Sequence, residues 1–504
     1  MRSRFSSFGN RDFPVLTRAL VPWVVFGIFV VYVAAPALPL PVGPDSGFDV
    51  TAFGRLPVWA NGRVQTFDSV ARTGLLQIRG PVTAIDGLEQ PKAGPTTIDP
   101  TVWMLELLAK PDTADTRRVF PMSRELLGKL QLQAASSGTN YYAFNDLGPK
   151  ASEIQKQVQQ IANVKASDRA GWQEELIAFR DKLILYERLK NSLAPNSRLQ
   201  QDAKGKPLAF DFAAELARYQ ADLAEALRVD AGRRRGDTER LDVAAEMRIR
   251  TFSRLFQFVS RTGLLAVVPR PNMKGSSSDW SNLGSVVVQS ALGHQPSAPV
   301  TFFAGMSSAF AQGKRDAFNS QVAQYRQWLA ASGSAPEMRK PRFEAFSNLL
   351  LPLVRAVVLY AVALVLVCVA WRTRSATVYR SALMMVLLAS ALHATGLVFA
   401  TILAGKPSWI AFSGWALGLS ALVVKRFRRS FNGTLASAAI GLTALVAAYS
   451  VAPGGPASLL RSVPETSLLV AIGATVFVLF VGHESRTARR SAMAPQATLE
   501  SPMA

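Results

Sequence analysis

The sequence predicts a mainly α, polytopic membrane protein. Six transmembrane helices are expected, with a large, mostly helical external domain between the first and the second. Three observations carry this. The 504 residues have a mean hydropathy of +0.16 although the formal net charge is +21. Their apolar residues collect in long uncharged runs, as in membrane spans rather than in soluble cores. The basic residues fall between those runs in a strongly one-sided pattern. Residues 1–40 carry +3, residues 41–345 carry +8 and residues 346–504 carry +10. A nucleic-acid binder would concentrate its surplus in one patch with interleaved aromatics. Here most of the surplus lies in the hydrophobic ends, so nucleic acid is not an expected partner.

The first run, about Val21 to Leu38, follows Arg2, Arg4, Arg11 and Arg18. A secretory signal looks similar, and Val33–Ala37 is a tolerable cleavage pattern. The uncharged stretch exceeds the usual signal core, which favours an uncleaved anchor. Five further runs are expected as spans at roughly 349–371, 381–404, 407–424, 434–452 and 466–482. With the N-terminus inside, fourteen basic residues fall on cytoplasmic segments: the four above, then Arg372, Arg374 and Arg380, then Lys425, Arg426, Arg428 and Arg429, then Arg486, Arg489 and Arg490. The two short outer connectors hold only Lys406 and Arg461. That split follows the positive-inside rule and sets both termini in the cytoplasm. The expected location is the bacterial inner membrane, with the lipid bilayer as one partner and the large domain periplasmic. Its divisions are an anchor over 1–39, the external domain over 40–345, a five-helix bundle over 346–484 and a disordered tail over 485–504.

Within the external domain, 151–164 and 172–193 place apolar residues at i, i+3, i+4 and i+7, which predicts amphipathic helices. Phe210–Val229, Thr238–Thr262, Leu283–Leu292 and Asp316–Ala331 show the same period. Polar and Pro/Gly-rich breaks at 194–197, 232–236 and 269–279 separate them, so helical hairpins are expected. Strand signals are sparse; Leu75–Arg79 and Ser285–Gln289 are weak candidates. Charges along the helices, Glu175 and Lys182 among them, read as solvated faces.

The single cysteine, Cys368, excludes an intramolecular disulfide and a dithiol redox pair. With only His294, His393 and His483 as histidines, a multi-His metalloenzyme is excluded as well. No P-loop, GxSxG or HExxH occurs, so a non-catalytic role is expected.

Three local patterns stand outside the periodicity. Residues 53–73 set Asn61-Gly62 in a turn, followed by Arg63, Asp68 and Arg72. A hairpin leading into a helix capped by Asp68 or Ser69 accounts for them. Residues 342–360 place Glu344 and Asn348 on one helical face before Pro352, as in a helix start at headgroup depth. His393 lies about ten residues below the outer end of its span, on the order of 15 Å at 1.5 Å per residue. An ionisable group at that depth is a functional candidate by default. Its imidazole is either a neutral group bonded across helices or an axial haem ligand. His483 reads as structural, and His294 has no neighbouring ligand in sequence.

Together these segments resemble the membrane proteins of system II cytochrome c biogenesis, the ResB/CcsA type. The likeness is carried by Phe53, Leu56-Pro57-Val58, Gly62-Arg63, Asp68 and Ala71-Arg72, with Thr66 where that family has proline. Trp103 with Pro111 and Pro121 continues it, and so do Glu344, Asn348 and Pro352. His393, Gly396-Leu397, Gly405-Lys406-Pro407 and Trp409 complete it, so that the resemblance covers roughly 50–425. Three family features are missing. No arginine follows His393-Ala394-Thr395-Gly396-Leu397, residues 410–414 lack the acidic segment, and none of the nine tryptophans forms the haem-presenting tryptophan cluster. The resemblance therefore implies the N-terminal half of such a protein. That is a non-catalytic subunit in haem delivery or attachment to apocytochrome c, working with a separate CcsA-like, haem-handling membrane protein. Haem itself is a possible cofactor at His393. The alternative is a membrane scaffold or permease-like subunit that uses its external domain for protein interaction.

Overall fold

A computed structural model of the chain describes residues 15–35, 47–81, 84–85, 97–132, 140–195, 210–270, 279–291, 297–332, 343–344, 346–347, 350–404, 409–428 and 432–451. It is mainly helical and divides into two units, Met1–Leu40 with Phe346–Ala504, and Pro41–Ala345.

After α1 (Val15–Ala34), the second unit begins with α2 (Val50–Gly54). Asn61 and Gly62 both take positive φ, +52° and +79°, so β1 (Pro57–Ala60) and β2 (Arg63–Thr66) close into a two-residue hairpin. The chain then turns straight into α3 (Phe67–Ile78). Its cap is Thr66, whose hydroxyl accepts from the Ser69 amide, and Asp68 instead occupies the first turn. The expected cap at Asp68 or Ser69 is thus corrected by one turn, because the strand runs up to the helix without a linker.

Short elements follow: β3 (Ala84–Ile85), β4 (Thr97–Ile98), α4 (Pro100–Ala109), α5 (Pro111–Ala114), β5 (Arg118–Pro121), α6 (Arg124–Leu130), β6 (Tyr141–Ala143) and α7 (Phe144–Leu147). Then come α8 (Ala151–Ala162), α9 (Gly171–Lys190), α10 (Phe212–Arg234) and α11 (Val243–Thr262). The unit closes with β7 (Ala266–Pro269), β8 (Trp280–Asn282), α12 (Leu283–Ser290), α13 (Ala298–Ala311) and α14 (Arg315–Ala331). Helix pairs α8/α9, α10/α11 and α13/α14 pack as hairpins, as their amphipathic stripes require.

Two antiparallel four-stranded sheets, β2-β1-β7-β8 and β4-β3-β5-β6, are the main departure from expectation. The suggested strands at Leu75–Arg79 and Ser285–Gln289 fall within α3 and α12 instead. Both runs are apolar but sit behind capping side chains, Thr66 and Asn282, which nucleate helix. The core is strongly aromatic: Phe53, Phe67, Phe303, Phe318 and Tyr325 meet in one cluster, and Phe120, Phe144, Phe179 and Tyr186 in another. The Tyr325 hydroxyl donates to Val267 O at 3.1 Å, and complete burial pushes its ionisation far up.

The first unit joins α1 to α15 (Pro352–Thr373), α16 (Ala376–Ala404), α17 (Trp409–Arg428) and α18 (Asn432–Val451). Pro352 opens α15 at a position where its missing N–H costs nothing. Two helices, Pro352–Thr373 and Ala376–Ile402, are long and apolar enough to cross a membrane. The apolar stretches Leu20–Ala34, Trp409–Leu422 and Thr434–Ala447 are shorter, and the expected span at 466–482 lies outside the described residues. Six spans are therefore not what the described helices establish; two candidates are.

This unit buries large apolar side chains such as Leu359, Met385, Val386 and Leu445, but it leaves many others outside. Val354, Val358, Val365, Val369, Leu387, Val398 and Leu417 are exposed. Ser381, Ser390, His393, Thr434 and Ser437 are buried alongside small residues such as Ala356, Ala363 and Ala389. Small and polar residues in the interior, together with many exposed aliphatics, suit association where lipid already solvates apolar side chains. Arg355 donates to Val33 O at the end of α1, where helix carbonyls lack intrahelical partners, and lies over the Tyr32 ring.

Candidate functional site

The residues singled out in the unit Pro41–Ala345 meet across the chain. Arg63, first in β2, extends a planar fork to Glu344: Nη1 donates to Oε2 at 2.9 Å and Nη2 to Oε1 at 2.8 Å. The partners are 281 positions apart. The Glu344 side chain is 6% exposed against 43% for Arg63, so most of the desolvation falls on the carboxylate. A bidentate guanidinium–carboxylate pair is the arrangement best able to offset it. Gly62, with φ at +79° and open space around it, supplies the turn that aims Arg63.

One helix turn apart on α3, Arg72 Nε donates to both Asp68 oxygens at 3.0 and 2.9 Å. The Thr101 hydroxyl on α4 adds a bond to Asp68 Oδ1 at 3.2 Å. A Cβ at Gly54 would lie 3.2 Å from Thr101 and 3.4 Å from Asp68, so glycine lets α2 close over this pair. These residues act as clamps that tie the hairpin, α3, α4 and the segment before α15 together. None of them presents a free nucleophile or base.

Arg63→Ala is expected to destabilise the unit Pro41–Ala345 by about 1–3 kcal/mol, because the buried Glu344 carboxylate loses its partner. Thermal unfolding of the full chain in detergent reads this, and exchanging the two residues (Arg63→Glu with Glu344→Arg) should recover part of the loss. An unchanged midpoint for Arg63→Ala would show the clamp to be dispensable.

In the membrane-like unit, His393 on α16 is fully buried, and its polar neighbour is the Ala411 backbone on α17. Its ring stands edge-on to Tyr360 at 6.0 Å. Beside it, Trp415 Nε1 donates to Ser390 O and Oγ, both at 3.1 Å. The Tyr360 ring occupies the notch left by Gly441, where a Cβ would come within 2.5 Å of it. The donor chemistry of a buried imidazole suits an axial haem ligand, but the space does not. The ring has no exposed edge, and neither cleft described in this unit includes it. A porphyrin could reach it only after the helices separate.

Asn348, Gly405, Pro407, His294 and His483 lie outside the described residues. Cys368 is exposed on α15. Among the described residues no group of three or more His, Cys, Asp or Glu could hold a metal ion.

The sequence did not reveal the most deeply buried ionic cluster. Lys190 at the end of α9 donates to both Asp115 oxygens at 3.1 Å, and the Tyr186 hydroxyl donates to Oδ1 at 3.0 Å. The Lys190 ammonium also lies 4.1 Å from the centre of the Phe144 ring. Burial here pushes the neighbouring Glu187 carboxyl above its ordinary range, with Lys190 opposing and Asp115 reinforcing the shift. A second clamp, Arg117 to Glu106, is bidentate at 2.8 and 2.6 Å. Glu175 and Lys182, expected on solvated faces, are also engaged. Glu175 accepts from the Ser123 amide and hydroxyl at the start of α6, and partial burial lowers the Lys182 pKa.

Compared with known proteins, the chain matches no family model, no curated protein and no solved structure.

Proposed function

We propose that the chain is a non-catalytic membrane subunit supporting c-type cytochrome maturation, with six spans, both termini in the cytoplasm and the unit 41–345 on the periplasmic side. Its task is positioning: the external unit holds apocytochrome or a partner, and the spans dock a separate CcsA-like chain that carries the haem. The observation that supports this best is the Arg63–Glu344 clamp. It joins two segments on which the resemblance to the system II machinery rests, and which lie 281 residues apart. The placement of fourteen basic residues against two supports the topology. Haem attachment needs reduced thiols, a presented haem and an aligned acceptor. With its single cysteine this chain is assigned only the alignment, and no haem step is assigned to His393.

The test is co-isolation. The full chain, tagged and solubilised with the tryptophan-rich, multi-His membrane protein of the same organism, should carry a Soret band that it lacks when isolated alone. Deletion should lower holocytochrome c. No Soret band in either preparation, together with unchanged cytochrome c in the deletion strain, would defeat the reading. Stable recovery with unrelated partners would favour a scaffold.

A further inference from the structure

We infer that the α15–α16 turn is a binding site for the headgroup of an anionic phospholipid. The inference rests on the membrane topology proposed above, which puts this turn at the cytoplasmic leaflet. A cleft of about 530 Å³ opens there, lined by Ala370, Trp371, Arg372 and Arg374. Arg374 stands at φ +55°, a left-handed helix end that reverses the chain within two residues and sets its side chain beside the last turn of α15. Arg380 follows on the first turns of α16, also exposed.

What makes these arginines unusual is that no Asp or Glu occurs among the described residues of their unit. Residues 346–464 contain no Asp and no Glu. Arg355, at the other end of α15, is satisfied by the Val33 carbonyl and the Tyr32 ring. Among the described residues, Arg372, Arg374 and Arg380 enter no ion pair. The clamps of the external unit show the contrast, since there Glu344 and Glu106 each have a guanidinium and Asp115 has the Lys190 ammonium.

The surroundings match a headgroup rather than a free anion. Trp371 is 56% exposed on the last turn of α15, an amphipathic ring at the depth where tryptophan anchors to the interface. Tyr379, whose hydroxyl meets Thr434 Oγ1 at 2.9 Å, fixes the start of α16 against α18 at the same level. Above the arginines, Val365 and Val369 are exposed, so an acyl chain continuing from a bound phosphate would meet aliphatic surface. Two guanidinium forks suit a phosphodiester, which offers paired oxygens.

The full chain in detergent, titrated with phosphatidylglycerol or phosphatidylcholine and read by native mass spectrometry, tests this. Phosphatidylglycerol should be retained over phosphatidylcholine. The pair Arg372→Gln with Arg374→Asn, asparagine being tolerant of the left-handed backbone, should reduce that preference at least ten-fold, since each arginine is worth about five-fold near an anionic surface. Arg372→Lys with Arg374→Lys, which keeps the charge, should retain most of it and shows that loss in the first variant is not misfolding. Equal binding of the two lipids, or unaltered preference in the neutral variant, overturns the site. Displacement by inorganic phosphate at matched concentration also overturns it, in favour of a free-anion site. Carbonate extraction of membranes keeps the two readings apart. A chain released from the pellet refutes the topology and the site together, whereas a chain retained without lipid preference refutes the site alone.

Discussion

Replacing Asp115 with alanine is expected to destabilise the unit Pro41–Ala345 by about 3–5 kcal/mol. The carboxylate is 1% exposed and its partner Lys190 3%. Removing it takes the carboxylate from an ammonium that lies over the Phe144 and Tyr186 rings, and takes away the acceptor of the Tyr186 hydroxyl bond. The pair itself contributes far less than its removal costs, because two charges left water to form it. Asp115→Leu combined with Lys190→Met should therefore recover most of the loss, and the comparison is the informative one. Denaturant unfolding of the full chain in detergent, followed by tryptophan fluorescence, gives both numbers. A double variant no better than Asp115→Ala would mean that the ion pair is a net source of stability.

Gly284→Ala is expected to cost about 1–3 kcal/mol or more, through overpacking rather than loss of contact. A Cβ there would sit 2.4 Å from the Ser260 amide nitrogen and 2.6 Å from Phe256 O. Both are backbone atoms of α11, so no side chain can swing aside. The approach is this close because Asn282, the cap of α12, also donates its amide to Ser260 O at 2.8 Å, seating one helix on the other. Gly128 in α6 is the matched control: nothing lies within 4 Å of its would-be Cβ. Gly128→Ala should stabilise by roughly 0.5–1 kcal/mol through helix propensity alone. Equal effects at the two sites, read by the same unfolding measurement, would contradict the packing account.

The helices were legible because their signal repeats. In α8, Ile154, Val158 and Ile161 are buried at the spacing their sequence displays, and α14 buries Phe318, Val322, Tyr325 and Leu329 in the same way. The strands were not, since among the described residues none exceeds four and a two-residue period needs more than that to show. Lys190 did leave a trace. It falls on the stripe of Phe179 and Tyr186, and a lysine on an apolar face implies a buried partner. Nothing local said that the partner was Asp115, 75 positions earlier. The same holds for Arg63 and Glu344: each segment was conspicuous alone, but a contact between them depends on the path of the whole domain. His393 was found by depth and composition, while its enclosure depended on Tyr360 and Gly441, which carry no signal of their own.

The pairing of β1 with β7 sets a condition on how the unit Pro41–Ala345 is made. Trp59 lies opposite Ala266, Asp49 bonds to Asn319, and the apolar helix α4 packs against α13, whose residues begin at 298. A chain delivered from its N-terminus therefore exposes α4 and the β1–β2 hairpin for some two hundred residues before their partners arrive. Closing such long loops is slow, and apolar surface waits uncovered meanwhile. The unit should mature as one late event after the whole segment has emerged, which makes the emerging chain, rather than the finished fold, the point at which a holding factor would matter most.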